Sequence, residues 1–559
     1  MKRFDGATCI RIDFIDIADG KVSLTGEFFA PTDDAASQAM FSQLVLTDGD
    51  SAEYPLKALF RREKLAHVGA LKQPCKLTEF ACEVPLNGRL LLRWKSNGRV
   101  IPWRRCVHGT FSPLTERLRF SYACSGQWIL RWRGDALEIA QYTFARHALC
   151  ELAHDLNLLL KMSFPAWRAL VFRAICAVDR MFTSRPLWLF SDRVNKADDN
   201  ARAMFEYACG LPEGGRHADF AFALEKGCED WDEMRKVGPV VNLLGFKYKI
   251  MFVRADFVIS AYRTKAQRMP FSDSSVAYCK SLVNHPKFIF LRHGISKDDM
   301  SHDVGRPQVN ARIMVSAAPR ERDSILDGCY MYTAREVKLL GMPRYDKLYD
   351  AGQKTVTFMP TWRRYLVEKT DAYNHELLEE FKQSSYLRNY KAIFNDRRLI
   401  EACERLGFRL RLMMHPNMTF AIDEFSIPSC WEVMPPETRY RDVFATSGIV
   451  VTDYSSVFFD VAYLKKPIVF FHADRDEFFA LQYEKGYFSY ERDGFGEVET
   501  TIEATVSRII EYMESGCKMK PEYRKRVDDF FAFTDRNNCK RVYDAILEAA
   551  REDGIGGKV

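Results

Sequence analysis

The sequence predicts an α/β protein: two lobes built on parallel sheets, in series, preceded by a small all-β domain and a helical linker. Three observations carry this. From Pro186 onward, short apolar runs without polar alternation recur with helical stretches between them, the pattern of strands buried on both faces. Residues 1–135 show period-two alternation broken by turn residues. Between them, 136–183, lies an apolar and basic stretch of helical character. At 559 residues the chain has room for three or four domains.

In the first region, residues 9–17 and 21–28 alternate, and residues 89–94 and 127–132 read as later strands. Asp48-Gly49-Asp50, Asn87-Gly88 and Asn97-Gly98 supply turns, so a sandwich or barrel is expected. His108-Gly109-Thr110 has no phosphate-site context here and reads as incidental. Leu156 to Phe182 is split by Ser163-Phe164-Pro165, which suits the first turn of a new helix. It carries Lys161, Arg168, Arg173 and Arg180 against Asp179 alone. Such a helix either lies on an anionic membrane surface or packs on the neighbouring domain.

The first lobe, 184–350, contains strands at 186–190, 218–224, 257–260 and 287–291. The second, 351–559, has them at 355–360, 408–414, 448–451 and 467–471. Two such lobes imply a cleft at the carboxyl ends of their strands.

The charge balance is mild, +6 with a pI near 8.5, which argues against nucleic acid and is compatible with an anionic substrate or membrane surface. Fifteen cysteines without a CxxC pair read as reduced thiols of a cytosolic protein. No secretory signal or membrane-spanning run is expected.

Four strand ends carry candidate chemistry. Val451-Thr452-Asp453-Tyr454-Ser455-Ser456 is a buried strand turning into a helix, where free N–H groups and two hydroxyls suit a phosphate; the plainer reading is a capped helix. Leu291-Arg292-His293-Gly294 sets a histidine at a strand end, a candidate general base, with Gly294 allowing close approach. Met414-His415-Pro416 repeats this in the second lobe, and Pro360-Thr361-Trp362-Arg363-Arg364 offers guanidinium groups that suit phosphate oxygens or form a solvated surface pair. P-loop, HExxH and GxSxG motifs are absent; Asp298, Asp299 and Asp303 either hold a cation or form an acidic surface loop, and the surface loop is the reading taken, so neither metal nor cofactor is expected.

With these residues in place, the chain resembles the CDP-glycerol glycerophosphotransferase family of teichoic-acid primases and polymerases. The matching segments are His293-Gly294, Gly341-x-Pro343-Arg344-x-Asp346, Met359 to Arg363, His415-Pro416, Thr452 to Ser456 with Phe459-Asp460, and Lys466-Pro467. Residues 187–193 with Asp199-Asn200 look like the family's opening strand, and the likeness spans 186–545. The resemblance implies a GT-B fold with the donor nucleotide on the second lobe. It implies transfer of glycerol phosphate from CDP-glycerol to a hydroxyl of a lipid-linked or polymeric glycan acceptor, with release of CMP, peripherally at the inner face of the plasma membrane. His293 would be the base; His415, Arg363, Ser455 and Ser456 would hold the pyrophosphate. Thr361, Asp453, Arg344, Gly294 and Lys297 would also meet the substrates. The segment after His293-Gly294 departs from the family's Thr-Pro-Leu-Lys, which opens the acceptor to a capsular or other surface glycan. The alternatives are a ribitol-phosphate transferase, a nucleotide-sugar glycosyltransferase of the same fold, or a non-catalytic glycan- or membrane-binding protein.

Overall fold

The computed structural model describes residues 8–555 except 19, 49–51, 69–70, 213–216, 284–285, 368–374 and 482–484. The first region is a pair of largely antiparallel sheets, five and seven strands, packed on a shared core in which Trp94, Trp103 and Trp132 sit in contact. The linker starts later than its composition suggests. Ala136–Gln141 is a strand, paired antiparallel with Trp128–Arg133 across a turn at Gly134 (φ 59°). Its Ala-Leu-Glu-Ile-Ala composition favours helix, but two neighbouring strands supply ladder partners, and pairing overrides propensity.

Two helices follow, Phe144–Leu160 and Phe164–Phe182. Leu158, Ala166, Ala169, Phe172 and Cys176 pack into the core of the first lobe. The packing reading therefore holds for this face, and the opposite faces are apolar and exposed. The all-β region is docked on the same lobe by Lys280, whose buried ammonium donates to the carbonyls of Gly109, Thr110 and Ser112 at 2.5–2.7 Å. The His108-Gly109-Thr110 string thus has a structural use.

The first lobe holds a seven-stranded parallel sheet and the second a six-stranded one. In the first, strand order reverses between Leu187–Ser191 and Phe257–Ser260; in the second, between Thr355–Met359 and Ile449–Thr452. Such switch points are where crevices open in this class of sheet. Almost every residue of these strands is buried, as parallel strands covered on both faces require.

One element departs from the expected division at 351. The last helix, Asn538–Glu552, returns to the first lobe, where Val542, Tyr543 and Ile546 join Trp188, Phe190 and Phe205. The Gly-x-Pro-Arg-x-Asp segment makes this return possible. Gly341 (φ 80°) leaves no room for a Cβ, which would lie 1.9 Å from Asn538 Oδ1. Pro343 opens a short 3-10 helix, and Asp346 accepts the N–H groups of Asn538 (2.9 Å) and Cys539 (2.7 Å) that begin the last helix.

Candidate active site

Segments that follow the carboxyl ends of several strands in each sheet face one another across a cavity of about 350 Å³, a size suited to a small-molecule ligand. Its walls include Arg193, Tyr262, His293, Gly294 and Lys297 from the first lobe, with Trp362, His415, Ser455 and Ser456 from the second.

His293 follows Lys287–Phe290 after a sharp departure from strand geometry. Arg292 adopts a left-handed conformation (φ 62°), uncommon for a residue with a side chain. The Arg292 side chain is buried against Glu321 (2.8 Å), which also accepts the N–H groups of Ser296 (2.8 Å) and Ala317 (3.0 Å). The His293 ring stacks on Tyr262 (5.4 Å between centroids, 12° between planes), while its edge remains open to the cleft. The Tyr262 hydroxyl accepts from Arg193 Nε (2.9 Å) and donates to Asp199 (3.2 Å). Desolvation within the cleft, then the charges of Arg344, Arg292, Arg193 and Arg263, push the His293 pKa down to about 4. The imidazole is therefore neutral near pH 7 and able to take a proton.

His415 exits Arg409–Leu412 and stacks on Trp362 (5.6 Å, 17°). Its Nδ1 accepts the Asn417 N–H at 3.1 Å, which leaves the proton on Nε2 in the neutral ring. Burial, and secondarily Arg193, lower its pKa to about 4. It is a hydrogen-bond donor with one N–H free to point at an oxyanion. Ser455 and Ser456 are half-buried on the same wall. Ser455 Oγ accepts the Val457 N–H at 3.4 Å. The helix that follows, Phe458–Tyr463, has only six residues, so its dipole is small and hydroxyls with backbone N–H groups make this wall polar.

Five residues expected to meet substrate have polar groups engaged within the protein. Arg363 is fully buried, bonded through Nε (2.8 Å) and Nη2 (3.0 Å) to Asp474, through Nη2 to Asp453 (2.9 Å) and through Nη1 to the Thr361 carbonyl (2.7 Å). Tyr386 and Phe478 lie within 5 Å of its guanidinium carbon. It does not line the cavity, and its donors are spent on two carboxylates and a backbone carbonyl. Asp453 is likewise interior, accepting from Thr361 N (2.8 Å), Thr361 Oγ1, Tyr390 OH (3.0 Å) and Tyr454 N (2.7 Å). Together they brace the turn that carries the serines. Arg344 borders the cavity, but its donors go to Asp460, Asp199 and the His293 carbonyl. Thr361 and Lys297 also border the cavity; the Thr361 hydroxyl is given to Asp453, and Lys297 pairs with Asp298. Asp303 pairs with Arg263 (2.6 Å) and Asp299 accepts the Ser301 N–H (2.8 Å), so this acidic loop is internally satisfied.

Arg193, Tyr262, Trp362, Arg439 and Arg441 belong to the cavity wall without having been singled out as site residues. The signal was available: Arg193 and Tyr262 each follow a buried strand at the switch point of the first sheet.

Comparison with known proteins bears on the family and the fold. A family model described as CDP-Glycerol:Poly(glycerophosphate) glycerophosphotransferase matches residues 172–548. The minor teichoic acid biosynthesis protein GgaB of Bacillus subtilis is 36% identical over 388 residues, 68% of this chain and 42% of that protein. The teichoic acid poly(glycerol phosphate) polymerase of Bacillus subtilis is 29% identical over 109 residues, 20% of this chain and 14% of that protein. The chain thus spans less than half the length of these curated relatives. A solved variant of the wall teichoic acid polymerase TagF shares the GT-B-type fold, with a TM-score of 0.50 at 15% identity over 74% of this chain and 99% of that one.

Proposed function

Because the chain belongs to the CDP-Glycerol:Poly(glycerophosphate) glycerophosphotransferase family, we propose that it transfers glycerol phosphate from CDP-glycerol to a hydroxyl of a teichoic-acid-like or other glycan acceptor and releases CMP. The observation that carries this reading is the opposition of a neutral histidine and a hydroxyl-lined turn across one cleft, His293 on the first lobe and Ser455-Ser456 on the second. The acceptor oxygen attacks the phosphorus that bears glycerol and gives its proton to His293. The bond from that phosphorus to the bridging oxygen breaks, and CMP departs with the electron pair. The His415 N–H and the Ser455 and Ser456 hydroxyls donate to the phosphate oxygens as charge shifts toward the leaving group. Phosphoryl transfer asks mainly for positioning and charge stabilisation, which these groups supply.

The test is CMP release from CDP-glycerol, with CDP-ribitol and UDP-sugars as competing donors. His293→Ala is expected to lower turnover about 10²–10⁴-fold while sparing CDP-glycerol binding, the range of a lost general base. Turnover within threefold of the unaltered enzyme would remove His293 from this role.

The helical pair 144–182 supports a location against the inner face of the plasma membrane, where a lipid-linked acceptor would be presented. Leu149, Leu152, Leu156, Leu160, Phe164, Trp167, Val171, Val178 and Phe182 form an exposed apolar stripe at helical spacing, 46–83% accessible. Exposed Lys161, Arg168 and Arg180 flank it, as an interfacial helix on anionic lipid requires. No helix among the described residues is long and apolar enough to cross a membrane.

A further inference from the structure

We propose that Arg344 is the positioning residue of His293, and that it ties the placement of this base to the apposition of the two lobes. The inference rests on the reading of His293 given above. Both peptide groups that flank the His293 Cα are held from outside the loop. The Arg292 carbonyl accepts from Asn200 Nδ2 at 2.7 Å, and the His293 carbonyl accepts from Arg344 Nη1 at 2.9 Å. Asn200 Oδ1 in turn accepts the backbone N–H of Arg344 at 2.9 Å, so the two clamps are joined. Asn200 is fully buried, and Arg292 sits in the left-handed region, a conformation that persists where the surroundings fix it.

The rest of the Arg344 guanidinium reaches the other lobe. Nε and Nη2 fork onto the two oxygens of Asp460 at 2.7 and 2.8 Å, and Nη1 also meets Asp199 at 2.8 Å. Asp460 lies in Phe458–Tyr463, the helix that directly follows Ser455-Ser456. A planar fork fixes direction as well as distance, which an ammonium cannot do. One side chain therefore sets the base on the first lobe against the phosphate-facing turn on the second. Lobe separation breaks the Asp460 fork and frees the group that holds the His293 carbonyl.

Arg344 also acts on His293 by charge. The groups around the imidazole are Arg344, Arg292, Arg193 and Arg263, with Tyr262 on its face and Asp199 behind Tyr262. Arg344 disfavours the imidazolium, so charge and geometry can be separated by two substitutions. In Arg344→Lys the charge stays and the fork is lost; kcat is expected to fall at least 30-fold, with KM for CDP-glycerol within threefold and the acid limb of kcat/KM unmoved. In Arg344→Gln kcat falls as well, and the acid limb moves to higher pH. If Arg344→Lys does not fold, Asp460→Asn carries the test, with the same split of kcat from KM expected. Retained kcat in either variant, or a loss confined to KM, overturns the proposal. Should the unaltered enzyme release no CMP from CDP-glycerol, the functional reading fails and the proposal is judged on the NMR signals of the His293 ring. One sharp set in the parent and broadened or multiple sets in Arg344→Lys support it; identical sets overturn it.

Discussion

Gly294 on the first lobe faces Ser456 on the second so closely that a Cβ added to the glycine would lie 3.4 Å from the serine hydroxyl oxygen. The backbone at Gly294 does not require a glycine, since its φ is outside the left-handed region. What the missing side chain provides is width at the point where the lobes nearly meet. Gly294→Ala is expected to fold with its melting temperature within about 2 °C of the parent, a surface-scale effect, and to raise KM for CDP-glycerol. Gly294→Val is expected to abolish donor binding in calorimetry. Unchanged binding by the valine variant would place the donor elsewhere.

The low pKa of His293 fixes the sign of the activity profile. A base held near 4 is unprotonated throughout pH 5.5–7.5, so kcat/KM is expected to be flat there with respect to this group and to fall only as pH approaches 4. A limb centred near 6.5 would mean an unperturbed histidine and contradict the site electrostatics.

Histidine burial also governs stability. His472 is buried, donates through Nε2 to the Asp453 carbonyl (3.1 Å) and stacks on Tyr454 (4.4 Å), with its pKa depressed to about 4 chiefly by desolvation. The unfolded chain then binds the proton more readily than the folded one. Stability is full above about pH 6.5 and declines as pH falls from there toward 4. The contribution of this one group between pH 7 and 5 is on the order of 2 kcal/mol. Denaturant midpoints of His472→Gln should show a shallower decline than the parent; parallel curves would refute it.

Arg363 is expected to act through stability. Breaking a buried ion pair on one side costs about 3–5 kcal/mol, so Arg363→Met, which leaves Asp453 and Asp474 without their cation, should lower the unfolding free energy by about that amount. The fraction that remains folded should bind CDP-glycerol within threefold of the parent. Unaltered stability with much weaker donor binding would return Arg363 to the cleft.

The exposed stripe on 144–182 predicts sedimentation with anionic vesicles. Val171→Glu combined with Leu152→Glu should reduce pelleting with phosphatidylglycerol-containing vesicles at least tenfold and leave CMP release with a water-soluble acceptor unchanged. Equal pelleting of parent and variant would exclude this face as the lipid contact.

The strands that bear the site were legible because parallel strands write themselves as uninterrupted apolar runs, and a polar exit marks where a cleft begins. His293, His415, Ser455 and Ser456 are singled out this way, and the structure brings them to one cavity. Arg363 and Arg344 show the limit of that reading. An arginine at a strand exit looks the same whether it faces a ligand or folds inward. The choice is made by Asp474, 111 residues from Arg363, and by Asp460, 116 residues from Arg344. No local pattern encodes those separations. The strand Ala136–Gln141 escaped for a related reason, since its ladder partners, and not its composition, make it a strand. The return of the last helix to the first lobe rests on Asp346 and Gly341, again a relation between segments about 190 residues apart.

That return restricts how the two lobes can be displaced. The chain passes between the lobes twice, once after Gly341 and once before Asn538, and Asp346 stitches the two passages side by side. A single tether would let one lobe swivel and slide on the other. Two adjacent tethers resist twisting and sliding where one would not, and beside them a shared apolar core joins Ile295, Ala317 and Tyr345 of the first lobe to Phe444 and Phe458 of the second. Gly294 is thereby held opposite Ser456.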